Sequence, residues 1–140
     1  MATTVQCDIV SAEDEIFSGE IQFVSVTGSL GELGIYPGHT PLLTELKPGP
    51  VELRKQDGEH EVFYVSGGFF EVQPTKVIVL ADTALRAHDL DEAAAEQAKL
   101  EAEKAIGDNA SQIEFARASA QLAEAAAQIR TLQLLKNKLK

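Results

Sequence analysis

The chain has 140 residues and a formal net charge of −10, with 44% hydrophobic and 24% charged residues. This length suits one ordinary domain plus an appendage, and the composition excludes a wholly disordered or fibrous protein. The negative charge argues against nucleic acid as a partner, because phosphate binding needs a concentrated basic surface. Cys7 is the only cysteine, so no internal disulfide can form and a reducing, cytosol-facing location is favoured.

The first residues lack the basic segment and apolar run of a signal peptide. No stretch of the sequence approaches the length needed to cross a bilayer. We therefore expect a soluble chain without direct bilayer insertion, even if its partner lies in a membrane.

Between Thr3 and about Ala81, apolar residues recur at every second position in short runs, which is the period of a β-strand. Turn residues such as Lys47-Pro48-Gly49-Pro50 separate the runs at the spacing of an all-β sandwich. The predicted strands are Thr3–Val10, Ile21–Val26, Val51–Lys55, Glu61–Ser66, Phe69–Gln73 and Lys76–Ala81.

A second module begins near Arg86–Asp89, where alanine, glutamate, glutamine and lysine replace glycine, proline and β-branched residues. Two capping boxes are predicted, Asp89 with Glu92 and Ser111 with Glu114, and a break is predicted at 107–109. The tail should therefore be a helix hairpin, about Leu90–Ile106 and Gln112–Asn137.

The predicted second helix carries a stripe of apolar residues at spacings of three and four, which the first helix answers mainly with alanines. The stripe is Phe115, Ala118, Leu122, Ala125, Ile129, Leu132 and Leu139. Alanine buries little area, since each CH₂-sized increment is worth only about 0.8 kcal/mol. We expect a loosely held hairpin whose helices persist while their packing changes.

Charge is also unevenly placed, because no acidic residue follows Glu124 while Arg130, Lys136, Lys138 and Lys140 are basic. One interpretation is that these cations complement the helix macrodipole on a solvated face. The other is a dedicated surface that docks on an acidic partner. The residues by themselves favour the first.

No set of residues marks a catalytic or metal site. His60 lies in a predicted turn and His88 in the predicted linker, so both are interpreted as surface residues. Ser66-Gly67-Gly68 lacks the glycine that precedes the serine in a nucleophile elbow and is interpreted as a tight turn. We predict that the chain is not an enzyme and binds no metal.

Residues 28–43 combine glycines, prolines and apolar side chains in one long predicted loop. No lysine and hydroxyl pair follows, as a phosphate-binding loop requires. A binding loop and an internally packed loop remain equally compatible with these residues.

Part of this segment closely resembles the epsilon subunit of bacterial ATP synthases. The resemblance lies in Gly31-Glu32-Leu33-Gly34-Ile35-Tyr36-Pro37-Gly38-His39 and the following Pro41-Leu42-Leu43. Further segments that resemble the family, in the same order, are Val10-Ser11-Ala12-Glu13, Phe17-Ser18-Gly19, Val65-Ser66-Gly67-Gly68, Glu71-Val72-Gln73-Pro74 and Leu80-Ala81-Asp82-Thr83-Ala84. Together they cover nearly the whole chain.

The resemblance implies an α+β fold, with an N-terminal ten-stranded β-sandwich followed by a C-terminal antiparallel two-helix hairpin. The sandwich, residues 1–86, would dock on the rotor, and the hairpin, residues 87–140, would be regulatory. The implied function is that of a non-catalytic central-stalk subunit of a proton-translocating ATP synthase, peripheral on the cytoplasmic face of the bacterial inner membrane. The alternative is a free-standing β-sandwich binding module with a helical tail.

The implied partners are the gamma subunit, the ring of c subunits and, through the extended second helix, the alpha and beta subunits. The family's ring contact carries over to Glu32 and His39 with neighbouring Gly31, Leu33 and Gly34. In the extended state, basic groups on the second helix would face an acidic segment of the beta subunits and restrain ATP hydrolysis. These groups are Arg117, Arg130, Lys136 and Lys138, and for them the resemblance favours the docking interpretation over the dipole one.

Some members of the family bind ATP at the folded hairpin. Leu90 and Asp91 of that motif are present, but Ala94 replaces its arginine, and Glu124 and Gln128 replace basic positions of the second helix. Phosphates would then meet carboxylates without compensating charge. We therefore predict weak or absent ATP binding and no other cofactor.

Overall fold

The computed structural model describes residues 3–107 and 111–138, with side chains described as far as Asn137. Nine strands lead into two helices, α1 (Glu92–Gly107) and α2 (Gln112–Lys138). The strands are β1 (Val5–Ser11), β2 (Glu15–Gly28), β3 (Gly31–Ile35), β4 (Leu42–Leu46), β5 (Gly49–Lys55), β6 (His60–Val65), β7 (Gly68–Gln73), β8 (Lys76–Ala81) and β9 (Ala84–Arg86). A 3-10 turn, Ala87–Asp89, joins strands to helices.

The sheet folds back on itself around one long strand. Along it the strand order is β1-β8-β7-β4-β2-β5-β6-β9, β3 also pairs with β2, and β1 pairs with β2 as well as with β8. The first half of β2 pairs with β1, whereas its second half pairs with β5 and β3. β2 therefore connects the two layers of a sandwich, β1-β8-β7-β4 and β3-β2-β5-β6-β9.

The sandwich and hairpin expected from the sequence are both present, but the number of strands differs. The described residues form nine strands instead of ten. The 14 residues of β2 remain one continuous strand while its partner changes, with a register shift between Ile21 and Phe23. A β-bulge of this kind re-aims side chains without ending the strand, and Ile21 and Val24 both point into the core.

The core between the two layers consists of large apolar side chains. Among those that are fully buried are Phe63, Phe70, Ile9, Leu53 and Ile21. Full burial of one such side chain stabilises the fold by about 1.5–3 kcal/mol before the cost in conformational entropy. The predicted alternation of apolar residues in β1, β7 and β8 is thus the inward face of a closed sandwich.

The first helix starts later than predicted, and a different residue caps it. The predicted capping box of Asp89 with Glu92 is wrong, because residues 87–89 form the 3-10 turn, closed by the bond from Leu90 N to Ala87 O. Asp91 caps α1 instead, its Oδ1 accepting from the Ala94 amide at 3.1 Å.

The second predicted capping box is confirmed. The Ser111 amide donates to Glu114 Oε2 at 3.3 Å, and the Glu114 amide donates to Ser111 Oγ at 3.2 Å. Of the predicted break at 107–109, residues 108 and 109 lie outside the described residues.

Helix α2 lies between α1 and the outer face of β5 and β6. Ala118, Ala125 and Leu132, seven residues apart, are buried towards α1, while Ala127 and Thr131 are buried on the opposite side, towards the strands. Leu122 and Ile129 of the predicted stripe are half-buried, Phe115 is half exposed, and Leu139 lies outside the described residues. In the described part of the chain, neither helix is apolar and long enough to span a bilayer.

Candidate functional site

The glycine-spaced stretch predicted as one long loop is for the most part a β-hairpin. Gly28 pairs with Gly31 around the turn Ser29-Leu30. Gly31 has a φ of 136°, in the region that favours glycine, and a Cβ on Gly28 would lie 2.9 Å from the Gly31 carbonyl oxygen. Glycine at both positions therefore allows the tight reversal between β2 and β3.

The two interpretations of this segment are both partly right, because its side chains separate into two sets. Ile35 is buried and Leu33 packs against the core, while Leu30 is 100% exposed and Glu32 is exposed as well. The hairpin thus presents a glutamate next to a fully exposed leucine at its tip. The sequence did not single out Leu30, although a leucine between two glycines in a turn is a recognisable signal.

Gly34 makes room for an aromatic pair on the outer face of β2 and β3. A Cβ on Gly34 would lie 3.0 Å from the Phe23 ring. Phe23 and Tyr36 have ring centroids 4.8 Å apart, and Arg54 lies over Phe23 with its guanidinium 5.7 Å from the ring centroid. This cluster stiffens the base of the hairpin.

His39 lies beyond the hairpin, after the turn at Pro37-Gly38. Its Nδ1 lies 2.7 Å from the Thr40 carbonyl oxygen, and the Gly38 amide donates to the Pro74 carbonyl at 3.1 Å. The imidazole thus forms a local hydrogen bond beside a turn that is itself anchored on the connection between β7 and β8. Of the sequence-predicted site residues, Gly31, Glu32, Leu33 and Gly34 share one strand, and His39 belongs to the next connection.

Two of the predicted inhibitory cations already have partners in this structure. The Lys136 Nζ is 2.9 Å from both carboxylate oxygens of Glu92, and Arg130 Nη2 donates to the Pro48 carbonyl at 3.4 Å. Arg117 is exposed on the outer half of α2. The side chain of Lys138 lies outside the described residues.

A cleft of about 270 Å³ separates α2 from the outer face of β2, β3 and β5, and Glu32 and Arg130 both line it. The predicted ring-contact glutamate and a predicted inhibitory cation are therefore neighbours across one cleft. The sequence did not indicate this proximity, because 98 positions separate the two residues. They line the same cleft because α2 packs along β5.

Tyr64 lies buried on the outer face of β6, beneath α2. Burial, with a smaller effect of the Glu124 carboxylate, raises the pKa of its hydroxyl to about 12, although the nearby Gln128 side chain opposes the shift. The hydroxyl has no hydrogen-bond partner among the described residues. Two positions of the degenerate ATP motif, Glu124 and Gln128, thus face a tyrosine at the boundary between helix and sheet.

The other described residues of the degenerate motif have different surroundings. Asp91 accepts the capping hydrogen bond of α1 and Ala94 is exposed. A cleft of about 220 Å³ between the helices is lined by Ala98, Glu101, Gln121, Glu124, Ala125 and Gln128. No cation is among these described lining residues, and the expectation of weak or absent ATP binding stays a prediction.

The two other histidines lie at the surface. His60 is 3.5 Å from Glu52, and His88 is 3.4 Å from Asp89. Within residues 3–107 and 111–137, no group of three or more histidine, cysteine, aspartate or glutamate side chains is arranged to hold a metal ion.

The fold defines a class: a β-sandwich that carries a helix hairpin packed on one outer face. Family models agree. Residues 4–87 match the β-sandwich domain of the ATP synthase delta/epsilon chain, and residues 88–133 match the long α-helix domain of the same chain. The chain belongs to the ATP synthase delta/epsilon chain family.

Individual relatives lead to the same family. The chain is 62% identical over 133 residues to the ATP synthase epsilon chain of Chromohalobacter salexigens, covering 95% of this chain and 94% of that relative. The predicted resemblance to the epsilon subunit is confirmed. Since the family consists of ATP synthase chains, the alternative of a free-standing binding module is not supported.

Solved structures share the fold at low sequence identity. A chain of the Euglena gracilis mitochondrial ATP synthase superposes with a TM-score of 0.78 at 17% identity, covering all of this chain and 84% of that one. A chain from the central stalk and c-ring of the Tetrahymena thermophila mitochondrial ATP synthase gives 0.60 at 16% identity, with coverage of 94% and 95%.

Proposed function

We propose that this protein is a rotor subunit of a proton-translocating ATP synthase, in which residues 1–86 dock on the stalk and ring and residues 87–140 restrain ATP hydrolysis. Membership of the ATP synthase delta/epsilon chain family supports the assignment to an ATP synthase. The observation that supports docking through the sandwich is that α2 covers the outer face of only one of the two sheet layers. One outer face lies under α2, while the other exposes large apolar side chains.

The uncovered face belongs to β4, β7 and β8. Leu43 is 68% exposed, Phe69 50% and Leu80 47%. Phe69 pairs directly with Leu80 and with Glu45, and Leu43 is two residues from Glu45, so all three apolar side chains share one face. Grouped exposed apolar residues on a soluble domain are typical of a protein interface, and we assign this face to the gamma subunit.

The hairpin of β2 and β3 is the second docking surface, and we assign it to the ring of c subunits. It presents the fully exposed Leu30 beside Glu32. A rigid hairpin with an apolar tip and an adjacent carboxylate can seat on a polar loop without inserting into lipid. With both surfaces occupied, the protein would be peripheral on the cytoplasmic face of the bacterial inner membrane.

The arm is the third functional element. Helix α2 has 27 residues, about 40 Å at 1.5 Å per residue, which is long enough to leave the sandwich and enter a neighbouring cavity. Its cations Arg117, Arg130, Lys136 and Lys138 would then face acidic side chains of the catalytic head, with the alpha and beta subunits as partners.

The first experiment tests the arm by truncation. An ATP synthase complex depleted of this subunit is reconstituted with the full chain or with a chain cut after Ala87, and both assembly and ATP hydrolysis are measured. Assembly should survive the cut, because the sandwich keeps its own core, whereas restraint of hydrolysis should weaken. Loss of assembly on truncation would contradict the assignment of docking to the sandwich.

The second experiment tests the uncovered face. Phe69→Glu should weaken assembly about tenfold or more, because it places a charge in an apolar contact. Leu100→Glu is the matched control, since Leu100 is 61% exposed on α1 and outside the proposed contact. Equal assembly of the two variants would contradict the gamma-docking face.

A further inference from the structure

Among the described residues, an ion pair joins the two helices at the open end of the hairpin. Glu92 is in the first turn of α1 and Lys136 is near the end of α2. The Lys136 Nζ lies 2.9 Å from each oxygen of the Glu92 carboxylate, and the two side chains are 52% and 57% exposed. We call this contact the clasp.

The clasp joins α1 to α2, and these two helices must separate before α2 can extend alone. Helix α1 continues from the sandwich through the 3-10 turn at residues 87–89, and α2 lies between α1 and the strands. The helix interface opposite the strands is made mainly of small residues, with Ala95 and Ala102 of α1 buried. Because alanine contacts contribute little, the ion pair adds measurably to what holds α2 against α1.

One ammonium group cannot serve both states of the arm. In the folded state Lys136 binds Glu92, and in the extended state that we propose above it faces carboxylates of the catalytic head. We propose that Glu92 is an internal competitor for Lys136, so that the clasp sets how readily the arm is released to restrain hydrolysis. This inference rests on the proposed function for its second half, whereas the clasp itself is a property of the isolated chain.

The expected strength of the clasp is low enough for the two helices to separate and close again reversibly. Exposed ion pairs stabilise a contact by about 0.2–1 kcal/mol, so loss of the clasp would shift the equilibrium between closed and open helices about 1.5-fold to fivefold. A shift of this size changes populations without locking either state. Salt should weaken it, since exposed charges are screened.

The clasp is tested first in the isolated chain through thiol reactivity. Ala125→Cys places a thiol at a position that is 3% exposed and faces α1, and its modification rate reports separation of the helices. Ala118→Cys, also at 3%, is a second probe in case the first disturbs packing. The natural Cys7 is fully buried, and burial with the nearby Asp8 raises its pKa to about 12, so it should stay unmodified.

Glu92→Gln should raise the modification rate about 1.5-fold to fivefold, and Lys136→Gln should do the same. The double variant should be no faster than either single one, as expected for two halves of one interaction. Glu103→Gln is the matched control, because it removes an equal charge from an exposed position of α1. Equal rates for the wild type and Glu92→Gln would overturn the proposal.

Competition is tested in the reconstituted complex. Glu92→Gln should strengthen restraint and lower hydrolysis by up to about fivefold, whereas Lys136→Gln should weaken restraint and raise hydrolysis. A purely structural ion pair would move both variants in the same direction, and that result would overturn the competition. If the full chain fails to assemble, the proposed function is contradicted, while the labelling rates still decide whether the clasp exists.

Discussion

The sandwich and the hairpin bury their residues in opposite ways. Between the sheets lie fully buried aromatic and branched side chains such as Phe63 and Phe70, whereas the helices bury mainly alanines such as Ala95 and Ala125. The sandwich therefore gains far more free energy per residue from apolar burial than the hairpin does. The difference teaches that one chain can combine a strongly packed sandwich with a hairpin whose packing would cost little free energy to change.

In the hairpin, interactions within each helix offset the weak packing between the helices. Its helices are rich in strong helix formers, and both begin with side-chain caps, at Asp91 and at Ser111. These interactions lie within each helix and are kept when the helices separate. In the release proposed above, the helices would therefore stay intact, so that release would differ from unfolding.

The largest expected effect is a difference in the free energy of unfolding between a substitution in the sandwich and one in the hairpin. Phe70→Ala removes a fully buried ring and should lower the free energy of unfolding by about 3–5 kcal/mol, measured by urea denaturation followed through the sheet signal in circular dichroism. Ala125→Gly should cost the helices about 1 kcal/mol and leave the sheet transition nearly unchanged. Equal shifts of the sheet transition would contradict the separation of the two regions.

The second prediction concerns the boundary between α2 and β6. The pKa of the Tyr64 hydroxyl is raised from 10.0 to about 12, so the unfolded chain loses this proton first as the pH rises. The corresponding stability is present below pH 10 and is lost between about pH 10 and pH 12. It amounts to about 3 kcal/mol, because each pKa unit corresponds to about 1.4 kcal/mol of free energy.

Comparison with Tyr64→Phe isolates this effect. The phenylalanine variant should lack that part of the alkaline loss, measured as the difference in urea midpoint between pH 9 and pH 11.5. Cys7 also has a raised pKa, but it is present in both proteins and cancels. Parallel pH profiles for the two proteins would refute the buried contact of Tyr64 with α2.

Much of this architecture could be predicted from the sequence because two periodicities are clear. Alternation in β1, β7 and β8 marked the strands, and the change to helix formers near Arg86 marked the hairpin. Three strands were missed, β3, β4 and β9. Glycines at Gly31 and Gly34 hid β3, because glycine weakens the strand signal even where pairing is complete.

The candidate surfaces were less predictable, because they depend on how layers meet. The sequence pointed to Glu32 and to the cations of α2, yet nothing local showed that Glu32 and Arg130 line one cleft. The partner of Lys136 was equally hidden, since Glu92 is 44 residues away. The start of α1 was misplaced because Asp89 and Asp91 are both plausible caps, and the choice depends on the 3-10 turn before them.

The third prediction tests whether the arm depends on its own caps. Ser111→Ala removes the hydroxyl that accepts from the Glu114 amide and should destabilise the start of α2 by about 1 kcal/mol. Amide hydrogen exchange in the first turn of α2 should then be about fivefold faster, with no change in the sandwich. Ser119→Ala, in the interior of the same helix, is the control and should leave that exchange unchanged.

The smallest expected effect lies in the sandwich, at an acidic side chain with three partners. Asp8 accepts from Gln6 at 2.9 Å and from Ser18 at 2.8 Å, and Lys76 Nζ lies 3.1 Å away. Burial opposes the charged form, but these hydrogen bonds and the lysine hold the pKa of the carboxyl below 3.8. The unfolded chain therefore takes up this proton first as the pH falls.

The stability from Asp8 is present above pH 3.8 and lost as the pH falls through the lower folded value. Asp8→Asn should lack this step, so wild type and variant should converge as the pH falls through the lowered folded pKa of Asp8 and differ at neutral pH by less than about 1 kcal/mol. Glu13→Gln, at an exposed position of the turn after β1, is the control and should follow the wild type throughout. A constant difference between wild type and Asp8→Asn across the acid range would mean that packing, and not charge, makes the contact between β1, β2 and β8 stable.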